Sequence, residues 1–73
     1  MARTIFTFAT THHALWAEDV ARDAGVPAEP IPAPPAAHAR CSLALETLPE
    51  DFERLAGILA AESIPFDRYT PEE

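Results

Sequence analysis

The chain begins with an alternating pattern. In Thr4-Ile5-Phe6-Thr7-Phe8, Phe6 and Phe8 share one side, and threonines and aromatics suit a pleated surface, which predicts a first strand. Thr10 or Thr11 then offers a helix N-cap and the period changes. His13, Ala17, Val20, Ala21 and Ala24 fall on one side of a helix, with Glu18, Asp19, Arg22 and Asp23 on the other, and Gly25 ends it. The alanine-rich inner side lets this helix lie close to a sheet. Trp16 stands at the edge of that side and Leu15 points away from it.

Val26 to Pro32 carries three prolines in seven residues, each lacking a ladder donor, so it reads as an edge strand or an extended polyproline-like segment. A loop is predicted over 33–40. The run Cys41-Ser42-Leu43-Ala44-Leu45-Glu46 alternates again, with Cys41, Leu43 and Leu45 on its larger apolar side. Pro49 suits the first position of a second helix, and Glu50, Asp51 and Glu53 put negative charge at that helix's positive end. Phe52, Leu55, Ala56 and Leu59 form its inward stripe, with Ile58 on the border. Ile64 to Tyr69 reads as a last strand and 70–73 as a frayed tail.

The order strand, helix, strand, strand, helix, strand predicts an α+β fold. The expectation is a ferredoxin-like βαββαβ sandwich, a four-stranded antiparallel sheet with two helices on one face, formed by 1–73 as a single domain. The other face of such a sheet is open. Ile5, Ala44 and Tyr69 decide whether it is wet or covered by a second subunit.

At 73 residues the buried fraction of surface leaves stability marginal, so a homodimer is an expected source of extra burial. Five basic residues against 12 acidic ones, none of the basic ones lysine, give a formal charge of −7. Such a surface repels phosphate backbones and anionic lipid, which argues against nucleic acid and membrane as partners and favours a basic one. No stretch approaches the roughly 18 apolar residues of a membrane span. Thr10 to His13 interrupt the first apolar run before it can serve as a signal segment. The expected location is the cytoplasm, where a free thiol persists.

Cys41 is the one thiol, so no internal disulfide forms, and no spacing signature demands a metal site from Cys41, His38 and His12. No glycine-rich phosphate loop or Cys-x-x-Cys pair is present, and no cofactor is expected. In the expected topology the third strand runs antiparallel beside the first. Its start, with Cys41, then neighbours Thr10, Thr11, His12 and the free amides of the first helical turn. Those amides stabilise an anion, and Arg40 or a protonated His38 adds to the effect, favouring a nucleophilic thiolate at an exposed loop edge. Cys41 also reads as a small core residue beside Leu43 and Leu45. Arg40, His38 and His12 likewise read as solvated surface residues, and His13 as an inward residue that packs at the first turn.

Phe6-Thr7-Phe8-Ala9-Thr10-Thr11-His12-His13, Ala24-Gly25-Val26-Pro27, Ile31-Pro32-Ala33-Pro34 and Cys41-Ser42-Leu43-Ala44-Leu45 together resemble the small bacterial selenium/sulfur carrier-like proteins of the DUF3343 family. Thr10, Thr11 and His12 match that family's hydroxyl pair and histidine, Pro32 and Pro34 its proline segment, and Cys41 its cysteine. Pro35 stands where the family has arginine, Ala37 and His38 fill its serine region, and Ser42 replaces its glycine. The resemblance implies a carrier that holds a terminal sulfur or selenium on Cys41, with Thr11, His12, His38 and Arg40 in support. A donor enzyme and an acceptor protein are the implied partners. Such a protein is a reactant passed between enzymes rather than a turnover enzyme. The rival reading is a non-catalytic interaction or regulatory domain that dimerises or docks through the open sheet face or the Leu15/Trp16 surface.

Overall fold

The computed structural model describes residues 4–71. β1 is Thr4–Thr7, α1 Thr11–Ala24, β2 Glu29–Pro32, β3 Leu43–Thr47, α2 Pro49–Ala61 and β4 Asp67–Tyr69. The strands form one antiparallel sheet in the order β2-β3-β1-β4, with both helices on one face, which is the ferredoxin-like arrangement. Residues 72 and 73 of the expected tail lie outside the described residues.

Each helix starts and stops for local reasons. The Thr10 hydroxyl accepts the His13 amide at 3.1 Å, satisfying one of the orphan donors of the first turn of α1. Gly25 ends α1 in the left-handed region at φ 73°, where its amide reaches the Ala21 and Arg22 carbonyls. α2 has Leu48 at the N-cap without a side-chain bond, and relies on Pro49 at its first position with Glu50 and Asp51 in its first turn.

Phe6 is fully buried on β1, stacked on Phe52 of α2 at 4.7 Å and edge-on to Phe66 at 4.9 Å. Leu45, Leu55, Leu59 and Ile64 complete this large-residue part of the core. Under α1 the buried residues are Ala14, Ala17 and Ala21, as the alanine-rich pattern anticipates, with Ala14 added to the inner row.

The strands are shorter than the alternation suggests. β3 begins at Leu43 rather than Cys41, although the Cys41 amide still reaches the Phe8 carbonyl at 3.3 Å. β4 begins at Asp67 rather than Ile64, because the Ile64 amide is drawn back to Leu59 at the end of α2 and Pro65 has no donor. The proline segment does form an edge strand, and the loop after it contains a 3-10 turn over Pro35–Ala37 that the sequence pattern does not announce.

On the face away from the helices, Ile5 lies between Glu46 and Tyr69 in the register, and Ala44 between Ile31 and Thr7. Both apolar side chains are buried within this chain.

Candidate functional site

Antiparallel pairing of β1 with β3 brings residue 41 to the end of β1 from which α1 departs. Thr10 is committed to the helix cap, which leaves Thr11, the first residue of α1, to face the thiol. Its Oγ1 lies 3.4 Å from Cys41 Sγ, and either atom can donate. The Leu43 amide donates to the same sulfur at 3.3 Å. This second contact is a short loop in which a side chain at position i takes the amide of i+2, as Ser and Asp side chains do in turns. A cysteine just ahead of a strand is its only trace in the sequence, and the amide's role went unforeseen.

Cys41 is only 5% exposed and belongs to the core cluster. Of the two sequence readings, a thiol open at a loop edge and a small core residue beside Leu43 and Leu45, the burial agrees with the second. The cause is side-chain direction: Cys41 continues the inward row of Leu43 and Leu45, so its sulfur turns beneath α1 while its neighbours Arg40 and Ser42 turn out.

The remaining expected residues divide. His38 and Arg40 are exposed, and with Cys41, Ser42, Pro34 and Pro35 they line a shallow pocket of about 200 Å³. Neither is hydrogen-bonded to the sulfur among the described residues. His12 is exposed, with its ring 5.9 Å from that of His13 and 6.2 Å from that of Trp16. No hydrogen bond joins it to Cys41 among the described residues. His13 is half-buried at the rim rather than in the core, its Nδ1 3.0 Å from the Thr10 hydroxyl.

Two sequence features take on structural meaning here. Ser42 has no positive φ, so the position that carries glycine in the resembling family is occupied in this chain without left-handed strain. Pro35 opens the 3-10 turn, and His38 closes it at φ 53° with its amide on the Pro35 carbonyl. The loop that lies over Cys41 is thus shaped by Pro35 and His38 rather than by Ser42.

No group of three or more His, Cys, Asp or Glu side chains arranged to hold a metal ion occurs among the described residues. No helix among them is long and apolar enough to cross a membrane.

The fold and this site define a small α+β protein with one thiol held between the start of its third strand and the start of its first helix. Residues 3–71 match the family described as "Putative Se/S carrier protein-like". The chain belongs to that family. No curated protein and no solved structure gives a significant match. Family membership and the single buried cysteine support a carrier role in general.

Proposed function

We propose that the chain carries one terminal sulfur or selenium atom on Cys41. The observation that supports this best is the setting of Sγ between the Thr11 hydroxyl and the Leu43 amide, beside the amino end of α1. The Leu43 N–H and the Thr11 hydroxyl lie within hydrogen-bond reach of a thiolate at this position, and the thiolate is the nucleophile in sulfur exchange.

Loading follows thiolate exchange chemistry. The Cys41 thiolate attacks the terminal sulfur of a donor enzyme's cysteine persulfide; a new S–S bond forms on Cys41, the donor's own S–S bond breaks, and the donor cysteine leaves as thiolate. No net oxidant is consumed. Unloading repeats the step, with an acceptor thiolate attacking the terminal atom and Cys41 leaving. A selenium atom in the terminal position moves by the same bond changes. Because Cys41 is only 5% exposed, transfer requires the 33–42 loop to shift, and the shallow pocket lined by His38, Arg40 and Cys41 is the side from which the donor enters. Arg40 and His38 then meet the incoming anion.

Intact-mass measurement after incubation with a cysteine desulfurase and cysteine tests this. The expected result is an added mass of one sulfur, removed by dithiothreitol and absent in Cys41→Ala. No adduct on the native chain, while a known sulfur-accepting protein is loaded in the same reaction, overturns the sulfur reading; a donor enzyme that carries terminal selenium in an S–Se bond on its cysteine, formed from selenocysteine, then tests selenium.

One observation favours a second reading. The burial of Cys41 in the core cluster suits a non-catalytic interaction domain in which the thiol only packs. On the sheet's open face Ile5 and Ala44 are already covered, whereas Leu15 and Trp16 are exposed, so docking in that reading uses the helical side.

A further inference from the structure

A groove between the two helices stands apart from the cysteine. Its floor is apolar, built by Trp16, Val20 and Ala24 of α1 and Ile58 of α2, in a hollow of about 490 Å³. Trp16 is 37% exposed there, a large aromatic surface left in contact with water. The margin is acidic: Asp19 and Asp23 project from α1, and Glu62 stands at the end of α2.

Two arginines beside this margin are engaged. Arg22 is paired with Asp19 at 2.5 Å, and the Arg54 guanidinium donates to the Ala24 carbonyl at 3.2 Å. Asp23 and Glu62 therefore supply the charge that an incoming group meets.

We propose that this groove docks an amphipathic helix of a partner protein, its apolar side chains laid on Trp16 and Ile58 and its lysines or arginines set against Asp23 and Glu62. Charge complementarity selects this occupant. A second copy of the chain would bring the same carboxylates to a two-fold interface and oppose like charges, and the formal charge of −7 on each copy adds to that repulsion. An anionic lipid surface is disfavoured for the same reason. A helix with an apolar stripe flanked by cations satisfies both the floor and the margin. The inference does not depend on Cys41, and it holds whether or not the chain carries sulfur.

The experiment uses the intact protein and its own reporter, because Trp16 is its one tryptophan. A synthetic helical peptide of leucines at helical spacing with lysines at the remaining positions, free of tryptophan and tyrosine, is titrated at moderate salt. Saturable blue-shifted Trp16 fluorescence is expected, weakened about tenfold by Ile58→Glu and by the pair Asp23→Arg, Glu62→Arg. The pair Glu50→Arg, Glu53→Arg makes the same change in net charge outside the groove and is expected to leave binding within about twofold. Circular dichroism of each variant establishes that it is folded, and Val20→Glu serves if Ile58→Glu is not. Four results overturn the proposal: no spectral change with peptide, equal binding of the peptide with glutamate in place of lysine, equal loss with both charge-reversal pairs, or a Trp16 shift that follows protein concentration without peptide and marks self-association.

Discussion

The two helices cover the same sheet by opposite means. α2 inserts Phe52, Leu55 and Leu59 and meets Phe6, so its half of the core is made of large side chains in close aromatic and aliphatic contact. α1 presents Ala14, Ala17 and Ala21, and so approaches the sheet closely over a layer of small groups. Cys41 belongs to the second kind of packing. Its thiol is small, lies in the core cluster, and has a hydroxyl and an amide within hydrogen-bond reach. The difference shows how one core holds both a cluster of large side chains and a hydrogen-bonded thiol: the bulk lies under one helix and the sulfur at the start of the other.

Substitutions that exchange these characters test the contrast. Leu55→Ala removes a fully buried side chain from the large-residue half and leaves a cavity, with an expected loss of about 3 kcal/mol in chemical denaturation. In a chain of this size that is a large fraction of the whole stability. Ala17→Leu attacks the other half by overfilling it, and an expected loss of about 2 kcal/mol reports how closely α1 lies on the sheet. A neutral result would show that α1 is free to lift away.

Smaller effects separate helix capping from sulfur chemistry. Thr10→Ala removes the acceptor for the His13 amide and is expected to cost about 1 kcal/mol in the same denaturation. Thr11→Val keeps the shape of the adjacent residue and deletes only the hydroxyl beside Sγ. Its expected stability change is the smallest, about 0.5 kcal/mol, while iodoacetamide labelling of Cys41 slows several-fold. Unchanged labelling would place Cys41 with the inert core residues and favour the second functional reading.

Much of the fold was legible in the chain. The alternation about Phe6 and Phe8, the alanine-rich helix closed by Gly25, and the stripe of Phe52, Leu55 and Leu59 each report a local period, and local periods survive folding when a single face is buried. Strand ends were less legible. Cys41 and Ile64 alternate correctly with their strands, yet the amide of one reaches across to Phe8 ahead of β3 and that of the other closes α2. Among the site residues, Thr11 was found beside Cys41 because antiparallel pairing of β1 and β3 forces the juxtaposition. The packing of the His12 ring near Trp16 is not legible in the chain, because the direction of a residue at a helix start depends on rotation about the helix axis.

The sequence by itself determined the order of elements, the sheet topology and the isolation of the one thiol, since period, caps and prolines are properties of neighbouring residues. Only the tertiary structure decided that Cys41 is buried rather than open, that the Leu43 amide joins Thr11 at its sulfur, and that Trp16 and Ile58 share one acid-edged groove. Those three depend on how separate elements rotate and close against each other, and packing sets that geometry where no local pattern can.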